Sequence, residues 1–192
     1  MTTANTNAAL DEFIAASLAQ PSALPTCCRK GCNACCEEAA YCDANDVVAM
    51  LSVLDPVQIE ALKLRVLEWM QRTTLVRSEE QQIEAMKYRN MRIKCPMLCP
   101  ETGLCLAYAV RPMGCRTFYA IGNAEDCQLP NRAHQKFVVF NKKTEAVIMR
   151  QYFLDCLASD GKIVMDHIGV LLFEKLFDKQ APSKSRQEIT PS

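Results

Sequence analysis

The 192-residue chain balances 22 Lys+Arg against 22 Asp+Glu, so net charge draws it to neither nucleic acid nor an anionic membrane surface. Two histidines argue against a histidine-dominated metal site, and six glycines against a glycine-lined nucleotide fold. Twelve cysteines are the outlying number. The N-terminus has no basic, apolar leader pattern, and no run of about 18 apolar residues spans a bilayer. A cytoplasmic home is therefore expected, where thiols stay reduced and dense cysteines bind metal rather than form disulfides. Disulfides remain the alternative if export follows an unusual route.

In chain order, Leu10, Phe13, Ile14 and Leu18 recur at helical spacing and predict a short amphipathic helix over residues 7–19. It lies in an N-terminal arm, residues 1–26, that packs on the body or on a partner. Pro21 and Pro25 stop it, and the chain enters CCRKGCNACC, residues 27–36. After Cys42, Asp43 or Asn45 caps a helix through Val47, Val48 and Leu51. Asp55, Pro56 and Gln58 are a capping box with proline at the first helical position, opening a helix to about Arg72 that carries Ile59, Leu62, Val66 and Trp69. Ser78 and Gln81 predict another over residues 79–92.

Residues 93–130 lose helical periodicity and are punctuated by Pro96, Pro100, Pro112 and Pro130. A coil this long needs something other than an apolar core to order it, and its cysteines supply metal ligands for that task. Phe137, Phe140, Val147, Ile148 and Tyr152 then predict one long helix or two, with a break near Asn141; a strand at Phe137–Phe140 is the alternative. Ile163, Ile168, Leu171, Leu172, Leu176 and Phe177 predict the most apolar helix. The expected fold is a single, mainly α domain over residues 27–179, with irregular cysteine-rich segments organised around a metal centre. The polar tail, residues 180–192, is expected to be disordered.

Thiolates are soft donors suited to zinc, copper(I) or iron–sulfur iron. Cys28, Cys32 and Cys35 converge only if the chain loops around a central object; Gly31 relieves crowding there, and Arg29 and Lys30 bring positive charge. The structural reading applies elsewhere. Cys156 lies among apolar helical positions and reads as a small core residue. His134 and His167 fall on predicted helices outside the cysteine groups, Trp69 and Tyr108 read as packing residues, and Asp43 and Asp46 follow the first cysteine group as capping candidates. Cys27, Cys42 and Cys99 have undecided roles.

Cys28, Cys32, Cys35 and Cys36, followed by Cys95-Pro96, Gly103-x-Cys105, Tyr108 and Arg111-Pro112-x-x-Cys115-Arg116, resemble the YkgJ-type cysteine-cluster family. The resemblance implies metal chelation through these cysteines, with no agreed reaction for the family. A related segment accompanies an iron–sulfur cluster in an enzyme that methylates flagellin lysines. The expected ligands are Cys28, Cys32, Cys35, Cys36, Cys95, Cys105, Cys115 and Cys127, with Arg111 and Arg116 moderating the charge of a bound cofactor. The resemblance and those basic residues tip the reading toward a [4Fe–4S] cluster in a structural, metal-handling or electron-transfer role. The alternative is one or two cysteine-ligated zinc sites in a structural or regulatory protein without catalysis. Enzymatic activity and protein partners stay open, and no nucleic-acid or membrane partner is expected.

Overall fold

The computed structural model describes residues 3–20, 23, 25–29, 31–38, 40–76, 78, 83–122, 124–128, 136–137, 142–160, 163–178 and 187–189. Helices dominate: α1 (Thr3–Leu18), α2 (Ala44–Ser52), α3 (Pro56–Thr73), α4 (Ala85–Asn90), α5 (Met113–Thr117), α6 (Lys142–Asp160) and α7 (Ile168–Phe177). Short strands β1 (Tyr41–Asp43), β4 (Ile163–His167) and β5 (Gln187–Ile189) form one antiparallel sheet in the order β1-β4-β5, while β2 (Ala120–Ile121) pairs with β3 (Lys136–Phe137). The domain is mainly α, as expected. Among the described residues, no helix is long and apolar enough to cross a membrane.

The two best-defined helix starts follow their capping chemistry. The Gln58 N–H donates to Asp55 Oδ1 at 2.8 Å, and Gln58 Oε1 accepts from the Asp55 N–H at 3.0 Å, with Pro56 at the first helical position. At α2, Asp43 Oδ1 accepts from the Asn45 N–H at 2.8 Å, while Asp46 Oδ2 accepts from the Asp43 N–H at 3.2 Å. These caps replace backbone partners that the first helical turn lacks.

From there α3 buries Leu62, Val66, Trp69 and Thr73. The Trp69 ring lies over Gly169 of α7, so closely that a Cβ there would stand 2.5 Å from two ring carbons. Its indole Nε1–H donates to Tyr88 Oη at 2.9 Å. Val47, Met50, Leu62, Val66, Leu171 and Leu172 fill the main core, against which Cys95 and Cys105 pack. A second core joins Leu10 and Ile14 of α1 to Met113 and to Tyr152 and Cys156 of α6. The N-terminal helix thus packs on the body, and Cys156, 0% exposed, is a core side chain as expected.

Several expected elements differ. Ile163–His167 is a strand, because its backbone pairs with Tyr41–Asp43 (Tyr41↔His167) and begins a new helix only at Ile168. His167 therefore closes a strand rather than lying within a helix; it is 1% exposed, with its ring 3.9 Å from that of Tyr41. Phe137 belongs to β3, as in the strand alternative, while residues 138–140 lie outside the description. The helix expected over 79–92 is observed only as Ala85–Asn90; residues 79–82 also lie outside the description. In the tail expected to be disordered, Gln187–Ile189 adds a strand to the open edge of β4, where backbone groups of Ile163–Met165 accept a partner. His134 is outside the described residues.

Candidate metal centre

Backbone hydrogen bonds bring the two cysteine segments together. The Cys95 N–H donates to the Cys36 carbonyl at 2.7 Å, joining the first segment to the second across 59 positions of chain. Upstream, Thr26 bridges to Ile121 and the Cys27 N–H donates to the Ala120 carbonyl at 3.1 Å, so the start of the first segment lies along β2. Gly31, at φ +90°, makes the reversal that lets the Cys32 N–H reach the Arg29 carbonyl at 3.0 Å. Cys35 and Cys36 then sit on a 3₁₀ turn, Ala34–Glu37.

The second segment folds back on itself through a Leu98–Cys105 bridge, and the Leu106 N–H donates to the Met97 carbonyl at 2.9 Å. That return brings Cys105 onto the cavity wall that Cys95 also lines. Ion pairs Arg89–Glu38 (2.8 Å) and Arg92–Glu37 (3.1 Å) fasten the 3₁₀ turn to the chain around α4. Cys115 rides on α5, and Cys127 on the 3₁₀ turn Asp126–Gln128.

The thiols border two adjoining cavities. The larger, about 650 Å³, is lined by Cys32, Cys35, Cys36, Cys95, Cys105 and Cys115, with Met50, Met97, Leu98, Phe118 and Ile168 among its apolar walls. The smaller, about 80 Å³, is lined by Cys28, Cys32, Cys35, Cys115 and Cys127. All eight expected ligands therefore face one hollow or the other. Four cysteines line neither: Cys27 packs beside Cys127, Cys42 is 1% exposed in the main core, Cys156 is in the second, and the Cys99 thiol donates to Glu101 Oε2 at 3.0 Å.

Sequence reasoning left Cys27 undecided, yet its Sγ stands 3.9 Å from Cys127 Sγ. Its adjacency to Cys28 gave no sign of this, since the contact is made across 100 positions.

The two arginines separate. Arg116 is 3% exposed and spends its guanidinium on the protein: Nε donates to the Arg111 carbonyl at 2.7 Å, Nη2 to the Ala109 carbonyl at 2.6 Å, and Nη1 pairs with Asp11. It clamps the loop that carries Arg111, and the expected cofactor-facing role is not what these contacts provide. Arg111 lines both cavities, its guanidinium carbon 4.2 Å from the Tyr108 ring centroid, with a buried Nε that has no hydrogen-bond partner. Tyr108 is thus a support for Arg111 rather than simple packing.

Burial raises the Cys95 and Cys28 thiols, raises Cys115 to about 12, and raises Cys105 although the Ala107 N–H and, less strongly, Arg111 oppose it. A hydrogen bond with Cys35, then burial, raises Cys36. Loading with metal must displace these protons. The donor set is chemically suited to soft metals, all sulfur with cationic Arg111 at its border. Among the described residues, no three His, Cys, Asp or Glu side chains stand close enough to hold one ion as they are. The larger group instead rings a volume.

Such a wall of cysteines on a helical scaffold defines a class, the cysteine-ligated metal-binding proteins. Residues 27–143 match the CxxCxxCC family, described as "Putative zinc- or iron-chelating domain", and the chain belongs to that family. No curated protein and no solved structure matches the chain.

Proposed function

We propose that the chain carries a [4Fe–4S] cluster in the larger cavity, held by Cys36, Cys95, Cys105 and Cys115, and that this centre orders the cysteine coil and serves metal handling or electron transfer. One observation carries the reading: six thiols are spread around a volume of about 650 Å³ rather than drawn to a point. In a four-iron cluster each cysteine binds a different iron, so the ligands surround a body instead of converging on one ion. When bound, such a group supplies reversible one-electron chemistry.

The residues do the rest. The Cys36–Cys95 backbone bond and the Leu98–Cys105 bridge hold the two segments at a fixed separation. Met50, Met97, Leu98 and Ile168 limit water on the apolar side of the cavity. Arg111 offers an unpartnered buried donor where negative charge would accumulate. Anaerobic purification followed by joint iron, zinc and acid-labile sulfide analysis tests the proposal. About four irons and four sulfides per chain are expected. Fewer than about two irons with no labile sulfide would reject it, and stoichiometric zinc in a colourless protein would replace it with the zinc alternative.

A further inference from the structure

The thiols that line a single hollow fall into two groups on different scaffolds, with Cys32, Cys35 and Cys115 on the wall between them. Cys36, Cys95 and Cys105 line only the larger cavity, whereas Cys28 and Cys127 line only the smaller one. The first group hangs on the Cys36–Cys95 backbone bond and the Leu98–Cys105 bridge. The second hangs on β2: Ala120 accepts from the Cys27 N–H at 3.1 Å and donates its own N–H to Cys28 Sγ at 3.2 Å. Ala34, Ala120 and Cys127 form a small buried cluster against which Cys27, Cys28 and Cys32 pack, separate from the core that holds Cys95 and Cys105.

We propose that Cys27, Cys28, Cys32 and Cys127 form a second thiolate site that takes a single soft divalent cation of the zinc class, distinct from the centre in the larger cavity. The inference rests on the reading that these cysteines hold metal, and it adds a ligand, Cys27, and a second stoichiometric ion.

Geometry and charge favour one ion here. Thiolates around a tetrahedral zinc, at about 2.3 Å from it, stand about 3.8 Å apart. The Cys27–Cys127 separation of 3.9 Å already has that length. One edge of the tetrahedron is therefore built; Cys28 and Cys32, which line the hollow with Cys127 and pack with Cys27 on the same buried cluster, have to turn toward that edge for the ion to bind. The Ala120 N–H on Cys28 Sγ is a contact that stabilises a thiolate more than a thiol. Each ligating thiol gives its proton to solvent as its sulfur joins the ion. The resulting negative centre lies beside Arg29 and Arg111, which line the hollow. At about 80 Å³ the hollow is also roughly eightfold smaller than its neighbour at about 650 Å³, which suits an ion more than a cluster.

The test is metal counting on anaerobically purified full-length protein supplied with zinc and iron. In the double variant Cys27→Ser/Cys127→Ser, zinc should fall by one equivalent per chain with iron and labile sulfide unchanged. In Cys36→Ser/Cys95→Ser, iron and sulfide should be lost and zinc retained. Full zinc in the first variant, a wild type that takes up no zinc, or zinc and iron lost together in either variant would overturn the second site. Should a variant fail to fold, the wild type gives the same decision by alkylation. A chelator that strips zinc while the cluster absorbance persists should expose Cys27 and Cys127 to iodoacetamide and leave Cys36 and Cys95 protected. Equal labelling of Cys27 and Cys127 before and after chelation counts against the site. If iron and sulfide are absent from the wild type, the cluster reading fails, and the zinc count still decides this one.

Discussion

Replacing Arg116 by alanine removes a guanidinium that donates to the carbonyls of Arg111 (2.7 Å) and Ala109 (2.6 Å) and pairs with Asp11. The arginine end of that ion pair is 4% exposed and the aspartate end 52%, so most of the loss lies with the carbonyls. Hydrogen bonds from a charged donor contribute about 1.5–3 kcal/mol each, and an unpartnered buried carbonyl adds its desolvation cost. The half-exposed ion pair adds less than about 1 kcal/mol. A destabilisation of about 3–5 kcal/mol is expected, readable as a lower urea midpoint at unchanged slope. Asp11→Asn should cost under about 1 kcal/mol. Because the clamp holds the loop of Arg111, Arg116→Ala should also lower metal retention, while Arg116→Lys, which keeps charge but not the fork of donors, should restore little stability. A variant Arg116→Ala within about 1 kcal/mol of wild type would refute the clamp. So would a change in the optical spectrum of the loaded protein without any loss of stability, which would give Arg116 back a direct place at the cofactor.

Gly169→Ala should destabilise by about 1–3 kcal/mol in thermal unfolding, against helix propensity, because its Cβ would stand 2.5 Å from the Trp69 ring; an unchanged or raised Tm would mean the α3–α7 contact yields freely. Burial raises the Asp46 carboxyl from 3.8 to about 6 despite hydrogen bonds from Tyr152 and the Asp43 N–H. The folded state therefore binds this proton more tightly than the unfolded chain, and the stabilisation is complete below about pH 4 and lost as pH rises through 6, by up to about 3 kcal/mol. Asp46→Asn should flatten that part of the stability–pH curve, and an identical slope in both proteins would exclude Asp46 as its source. Removing metal should speed hydrogen exchange between residues 95 and 127 far more than in α3 and α7, whose order comes from packed apolar side chains; uniform acceleration would contradict local ordering by the metal.

What could be read from the sequence is what local chemistry determines. The start of α3 was legible because Asp55, Pro56 and Gln58 each satisfy a different requirement of a helix N-terminus within four positions. Asp43 was legible as a cap for the same reason. Ile163–His167 reads as helix in the sequence because its apolar run continues into α7, and a short apolar stretch fits either period. Its strand identity is conferred by Tyr41–Asp43, more than 120 positions upstream, and no local signal encodes that pairing. Similarly, Arg111 and Arg116 share one motif, which in sequence suggests one role for both. Their side chains leave the chain on either side of α5's first turn, one toward the thiols and the other back onto loop carbonyls.

The cysteines show the same division between local and non-local information. Their number and spacing point to metal because the thiol is the chemistry itself. How they group is set by which backbone each one leans on. Cys27 and Cys28 are fixed by Ala120, far downstream in β2, and Cys36 by Cys95. Cys28 and Cys36 of one short segment are thus sorted to different hollows, while Cys27 and Cys127, 100 positions apart, meet at 3.9 Å. Cys32, Cys35 and Cys115, on the wall that both hollows share, are the residues whose replacement should disturb both groups at once. That is why single substitutions of those three cannot tell one centre from two, and why the pairs Cys27/Cys127 and Cys36/Cys95, each confined to one scaffold, can.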